Sequence, residues 1–226
     1  MPMPDPRFFD FLSQLAANND RDWFNARKDQ FKQTVQQPAV DLVHTIIPRL
    51  ARIAPMIEPI AKPNGGSVMR IYRDTRFSTD KTPYKTHLGI SLKHAAGKQV
   101  GAPEIYIHLS PEESFIAGGC WRPDRCVLAD IRAAIDRDPA SWTAAVHRRP
   151  FNGKFTLGGD SLKTSPRDYP ADHPHIVDLR RIDFVGVAPV TTDQVLAGDF
   201  ADRIIDHVRA LRPLNAWLAE VVGVPY

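Results

Sequence analysis

The sequence predicts an α+β fold, in which an antiparallel sheet, a meander at about residues 68–119, packs with N-terminal and C-terminal helices. Apolar residues recur at helical spacing through the first third of the chain. They alternate with polar residues from about residue 68, and they return to helical spacing after residue 121. Helices, then strands, then helices are typical of α+β proteins, because α/β proteins alternate the two along the chain.

The N-terminal helices are predicted from three apolar series. Asp5 is placed to cap the first helix, and Asn18-Asn19-Asp20 ends that helix and caps the next. Pro38 marks a kink or a new start before the third series. The apolar positions are Phe8, Phe11, Leu12 and Leu15, then Trp23, Phe24 and Phe31, then Val40, Val43, Ile46, Ile47 and Leu50.

The predicted meander rests on a period of two, which is typical of strands with one buried face. Strands are expected at 68–73 and 86–93, with the intervening segment as their connecting loop. A third strand contains Ile105, Ile107 and Leu109, and a turn at 110–113 leads to a fourth.

After the meander, Pro123 suits the first turn of a helix with an apolar face that includes Ile131. Trp142 and Val146 indicate another helix, and residues 184–187 a further strand. C-terminal helices are expected over 191–222. At 226 residues, the chain is predicted to be a single domain, 1–226.

Composition narrows the class of protein. Hydrophobic residues make up 43% and charged residues 24%, and the formal net charge is +3, so the total charge is too small to indicate a nucleic-acid binder. Two cysteines form no disulfide framework. The N-terminus lacks the pattern of a signal peptide, and no apolar run is long enough to cross a bilayer, so a cytoplasmic protein without membrane attachment is expected.

The most informative segment is residues 70–87, which interleaves cations with aromatic and hydroxyl side chains. Arginine offers a planar fork of donors that matches phosphate or carboxylate, and lysine adds a mobile charge. This segment therefore predicts an anion-binding site to which Arg73 or Arg76 contributes. The predicted ligand-binding residues are Arg70, Tyr72, Arg73, Arg76, Lys81, Tyr84, Lys85, His87, Tyr106 and His108.

Two interpretations of the segment remain open. If the strands pair in register, Arg70, Tyr72 and His87 lie on one sheet face, which Tyr106 and His108 extend. Alternatively the segment is a solvated loop in which Asp74 and Asp80 neutralise Arg73 and Lys81.

Other motifs are weaker. The Asn18–Phe24 stretch is interpreted as a helix cap with two core aromatics, although it could add Arg21 to the anion site. Gly118-Gly119-Cys120 favours close backbone packing over phosphate binding. Pairs of Cys and His residues lack the spacing of metal motifs, so neither a metal nor a cofactor is predicted. His87 with Asp74 is a candidate acid–base pair.

Four blocks of residues resemble DUF2461, a family of conserved proteins of unknown function. They extend from about residue 8 to residue 185. The 70–87 segment is the most specific block, and the chain departs from the family pattern at Thr79, Cys120 and Asp168. The resemblance implies a single soluble domain but no established activity or cofactor. The other blocks are Phe11–Lys28, Gly118–Ile135 and Pro166–Arg180.

The leading hypothesis is a protein that binds a phosphate- or carboxylate-bearing ligand. One alternative is an enzyme that acts on a phosphorylated substrate with His87 as the acid–base group. The other is a nucleic-acid or protein interaction module that uses the same basic, aromatic surface. Any nucleic-acid binding is expected to be weak and non-specific, because it would come from contacts with phosphate rather than with bases.

Overall fold

Helices form the first and last parts of the chain in the computed structural model, which describes residues 4–97 and 101–226. The N-terminal helices are α1 (Pro6–Ala17), α2 (Arg21–Ala26), α3 (Lys28–Phe31) and α4 (Gln37–Ile53), with a π-helical turn at Lys32–Gln36 before α4. The later helices are α5 (Arg125–Arg137), α6 (Pro139–Val146), α7 (Ile176–Leu179), α8 (Thr192–Leu196) and α9 (Phe200–Val221), and a 3-10 turn lies at Phe151–Gly153.

Five strands form one antiparallel sheet in the order β1-β2-β3-β5-β4. Their bounds are Leu88–Leu92, Glu104–Leu109, Ser114–Cys120, Thr156–Gly158 and Phe184–Val190 for β1 to β5. This sheet, with helices before and after it, confirms the predicted α+β fold. The predicted strand at 184–187 is β5, whereas β4 was not predicted.

The two faces of the sheet differ in how deeply their side chains are buried. Alternate residues such as Ile90, Ile107 and Ile116 are fully buried on the inner face, where α9 packs against β3 and β5. Leu211 of α9 leaves no space for a side chain at Gly118, and the ring of Phe151 leaves none at Gly186. The outer face contains Tyr106, His108 and Phe115, which are half-buried.

The predicted strand at 68–73 is wrong. This segment makes only two isolated bridges, between Val68 and Ile90 and between Tyr72 and Tyr84. The bridges are four residues apart on one segment and six on the other, so the register changes between them. Because Pro83 also lacks an N–H, a continuous ladder cannot form. The first strand of the sheet therefore begins at Leu88. Residues 98–100, which belong to the predicted meander, lie outside the described residues.

Helix caps explain several boundaries. Asp5 and Asp20 are the N-caps of α1 and α2, as predicted. Pro123 lies outside α5, because Asp124 is the N-cap and accepts hydrogen bonds from the N–H groups of Cys126 and Val127. The predicted helix is therefore present but begins two residues later than Pro123.

Candidate functional site

A side-chain amide joins the N-terminal helices to the 70–87 segment. Nδ2 of Asn19 donates to the carbonyl oxygen of Tyr84 at 2.9 Å, and Oδ1 of Asn19 accepts from the N–H of Tyr84 at 3.0 Å. Asn19 lies between α1 and α2, where Asp20 caps α2 through the N–H of Trp23. The amide thus pairs with the backbone of Tyr84 as a neighbouring strand would.

Three aromatic rings lie beneath this junction. Phe24 is buried and stacks on Tyr84, with ring centroids 4.1 Å apart and an interplanar angle of 26°. The ring centroid of Tyr72 lies 5.4 Å from that of Tyr84 and 6.2 Å from that of Phe24, yet Tyr72 remains 44% exposed. The core assignment of Phe24 is confirmed. Trp23 is half-buried against the same core, and the guanidinium of Arg27 lies 4.6 Å from its ring centroid.

A cleft of about 770 Å³ opens between α2 and the segment. Four predicted ligand-binding residues line it, namely Tyr72, Arg73, Lys81 and Tyr84. The cleft also includes Arg21, whose stretch of sequence is typical of a helix cap and was only the second choice for the anion site. Its full lining is Asn19, Asp20, Arg21, Asn25, Tyr72, Arg73, Thr75, Lys81, Thr82, Pro83 and Tyr84.

Two of the predicted arginines are engaged by neighbouring carboxylates. Arg73 pairs with Asp80 and also contacts the hydroxyl of Thr82. Arg76 pairs with Asp74 through two hydrogen bonds, of 2.9 and 2.7 Å. These arginines lower the pKa of each aspartate to about 2. The predicted alternative, in which Asp74 and Asp80 neutralise nearby cations, therefore describes Arg73 and Arg76. Arg76, rather than the predicted Lys81, is the second neutralised cation.

Arg21 and Lys81 differ from those arginines, because neither forms an ion pair within residues 4–97 and 101–226. Nζ of Lys81 donates to the uncharged carbonyl of Thr75 at 2.9 Å. Burial raises the pKa of Tyr84 and Tyr72 raises it further, whereas the positive charge of Arg21 opposes both effects. Arg21 is thus close enough to act electrostatically on the Tyr84 phenol.

The remaining predicted residues lie outside the cleft lining. His87 and His108 have ring centroids 4.2 Å apart, and His108 stacks on Phe115 at 4.7 Å with nearly parallel planes. Oη of Tyr106 lies 3.3 Å from Nδ1 of His108. We call His87, Tyr106, His108 and Phe115 the ring cluster. Gly89 makes room for it, since a Cβ there would lie 2.6 Å from Oη of Tyr106.

Burial controls ionisation in the ring cluster. It lowers the pKa of His87 to about 4, with smaller contributions from His108 and from Lys85. Burial also lowers the pKa of His108 and raises that of Tyr106. Next to the cluster, burial and then Arg70 lower the pKa of Lys85. At neutral pH, the His87 imidazole is therefore uncharged.

The expected single pocket is thus divided into a cleft and a ring cluster. Tyr72 and Tyr84 contribute to the cleft, whereas His87 belongs to the outer sheet face. Successive side chains of an extended segment point to opposite sides, so Tyr84 and His87 diverge even though they are three residues apart. Arg70, Arg76 and Lys85 also lie outside the cleft lining.

Packing and burial explain the Gly118-Gly119-Cys120 motif. Gly119 has φ of +130°, and a Cβ there would lie 2.1 Å from the carbonyl oxygen of Phe184, so close packing of β3 on β5 requires glycine. The buried thiol of Cys120 donates to the carbonyl of Gly101 at 3.1 Å, and burial raises its pKa to about 12. Within the described residues, no three His, Cys, Asp or Glu side chains converge to hold a metal.

The chain belongs to the family described as "Conserved hypothetical protein (DUF2461)", whose sequence profile matches residues 7–217. The match contains the cleft, the ring cluster and most of α9, so it extends beyond the four blocks that end near residue 185. Searches of the curated proteins and of the solved structures each found no match. Of the helices in the described part of the chain, none combines the length and apolar character needed to cross a membrane.

Proposed function

We propose that this protein binds a phosphate- or carboxylate-bearing ligand in the cleft. The supporting observation is that Arg21 and Lys81 line the cleft from two separate segments, and neither is paired with a carboxylate in the described residues. Asp20 is the only carboxylate among the lining residues, so cations outnumber anions there. A bound anion would gain charge-assisted hydrogen bonds from these cations.

Each lining residue has a role in this proposal. Arg21 supplies a planar pair of donors and Lys81 supplies a point charge. The hydroxyl groups of Tyr72 and Thr75 and the amide of Asn25 add neutral hydrogen-bonding groups around the anion. Arg73 is assigned a positioning role, because its bonds to Asp80 and Thr82 hold the loop that carries Lys81. In this proposal Arg21 and Lys81, rather than the predicted Arg73 or Arg76, bind the anion directly.

The enzymatic alternative is less well supported than binding. His87 lies outside the cleft lining, and its pKa near 4 leaves it without a proton to donate at neutral pH. The pKa of Asp74 is about 2, so this carboxylate is a weak base. The interaction-module alternative depends on exposed cations alone, and the small net charge of +3 favours a small anion over a nucleic acid.

Thermal unfolding in inorganic phosphate tests the proposal. At a concentration about 100 times the dissociation constant, a ligand that binds only the folded state should raise Tm by roughly 5–10 °C in a chain of this size. Arg21→Gln and Lys81→Gln should each remove most of this rise. Arg148→Gln and Lys163→Gln are matched controls, because both side chains are exposed and lie outside the cleft. They should keep the full response.

The proposal fails if phosphate, sulfate and simple carboxylates all leave Tm unchanged. It also fails if the control variants lose the rise to the same extent as Arg21→Gln. Circular dichroism of each variant without ligand would establish that the fold is intact, so that a lost response reflects the cleft.

A further inference from the structure

Resting on the proposed function, we infer that the anion in this cleft is carried on a planar aromatic group, as in a nucleoside monophosphate, and that Tyr72 stacks on that group. The cleft is larger than an inorganic anion requires. Its volume of about 770 Å³ lies within the range of sites for small organic molecules. Such a ligand would place its phosphate near Arg21 and Lys81, with its ring against Tyr72.

Tyr72 is held in place on one side only. Its ring contacts Tyr84 at 5.4 Å with an interplanar angle of 48°, and it meets Phe24 edge-on at 6.2 Å. Tyr84 and Phe24 are both buried, so they form a rigid support beneath Tyr72. The remaining surface of Tyr72 is open, at 44% exposure, and it borders the cleft.

This arrangement makes stacking favourable. A ring already fixed by its neighbours loses little conformational freedom when a ligand packs against it. Aromatic side chains that support bases in this way improve binding across different bases, because every base has a π face. The cations at the cleft supply the complementary charge for the phosphate, and the exposed amide of Asn25 can donate to ring or sugar oxygens.

Phe77 provides the natural comparison. It is 95% exposed at the tip of the same loop and lies outside the cleft lining. The guanidinium of Arg76 lies 5.8 Å from the ring centroid of Phe77 and is paired with Asp74. Phe77 is thus more exposed than Tyr72 and contacts no other aromatic ring within the described residues.

Calorimetric titration with AMP and with ribose 5-phosphate tests the inference, because both probes contain a ribose 5-phosphate and AMP has adenine where the free sugar has its anomeric hydroxyl. AMP should bind the native protein at least about fivefold more tightly than ribose 5-phosphate. Tyr72→Leu should abolish this preference, whereas Tyr72→Phe and Phe77→Leu should retain it. Arg21→Gln should weaken both probes together.

Equal affinity of the native protein for the two probes would overturn the inference and leave the proposed function intact. So would a preference for AMP that survives in Tyr72→Leu. If neither probe nor inorganic phosphate binds, the proposed function has failed and the inference fails with it. Because the native protein alone gives the first comparison, the test does not depend on how well any variant folds.

Discussion

The cleft and the ring cluster both contain aromatic side chains, but the polar groups beside those rings differ. In the cleft, Arg21 and Lys81 lie beside a half-exposed Tyr72 and have no carboxylate partner in the described residues. In the ring cluster, the rings of His87 and His108 contact each other at a tilt, and burial keeps His87 uncharged. Aromatic rings therefore border a charged opening in one place and form a neutral surface in the other.

Within the 70–87 segment, the charge that a ligand meets depends on the neighbours of each cation as well as on residue type. Arg73 and Arg76 lie in the same segment as Lys81, yet Asp80 and Asp74 neutralise them. An anion would thus meet an effective charge much smaller than the number of cations in the segment suggests. Substitutions that act on one region and spare the other provide the sharpest comparison.

The largest expected effect is on stability, at the floor of the cleft. Phe24→Ala should lower the free energy of unfolding by about 3–5 kcal/mol, because it removes a fully buried ring that supports Tyr84. Phe115→Ala in the half-buried ring cluster should cost clearly less. Urea denaturation of both variants measures the difference. Equal costs would mean that the two regions are packed to the same extent.

The next effect concerns the amide that joins the two walls of the cleft. Asn19→Ala should lower the free energy of unfolding by about 1–3 kcal/mol, because it leaves the N–H and carbonyl of Tyr84 without partners. It should also weaken the response of Tm to phosphate. Asn25→Ala, at an exposed position in the same cleft, serves as the control for stability. If Asn19→Ala and Asn25→Ala are equally stable, the proposed role of Asn19 as a clamp is wrong.

A pH-dependent effect distinguishes the ring cluster from the cleft. The pKa of His87 is about 4 in the folded protein, compared with 6.5 for an unperturbed histidine. As pH falls from about 6.5 to 4, the unfolded chain binds a proton that folded His87 does not accept, so stability decreases over this range. His87→Gln should reduce that decrease, as measured by urea midpoints at several pH values.

His44→Gln replaces an exposed histidine of α4 and controls for the loss of a histidine as such. A native protein and a His87→Gln variant with identical pH profiles would show that His87 does not remain uncharged. The phosphate response of His87→Gln should equal that of the native protein, because the ring cluster is separate from the cleft.

The smallest expected effect is on nucleic-acid binding. Affinity should be weak, independent of sequence and strongly reduced by salt, because phosphate contacts would supply it. The double substitution Lys81→Ala, Lys85→Ala should reduce it for every sequence alike, and the two single variants should contribute similarly. Fluorescence polarisation at two salt concentrations measures this. Tight binding of one particular DNA or RNA near physiological salt would instead favour an interaction module.

Periodicity was sufficient to predict much of the fold. The alternation at 105–109 and the helical spacing from Phe8 to Leu15 agree with the strand and helix at those positions. Periodicity failed at 68–73. The two bridges there are four residues apart on one segment and six on the other, and alternation does not reveal this change of register. Strand β4 was missed because three residues carry too short a pattern to recognise.

The candidate site was only partly predictable. The segment that forms one wall of the cleft was identified from its cations and aromatics, and four of the residues predicted to bind ligand line that cleft. Arg21 was considered for the anion site, but the stretch that contains it was interpreted as a helix cap, since local sequence gives no measure of distance to a loop about 60 residues away. Asn19 was recognised only as part of a capping motif, and its pairing with Tyr84 was not predicted, because the two residues are far apart in the sequence.

The pairing of Asn19 with Tyr84 makes one amide hydrogen a reporter of cleft opening. The N–H of Tyr84 is bonded to a side chain rather than to a strand or a helix, so its exchange with solvent requires the two walls to separate. Neighbouring strands can unpair locally without exposing it. The exchange rate of this single hydrogen therefore follows how often the cleft opens, and a ligand that bridges the two walls would slow it.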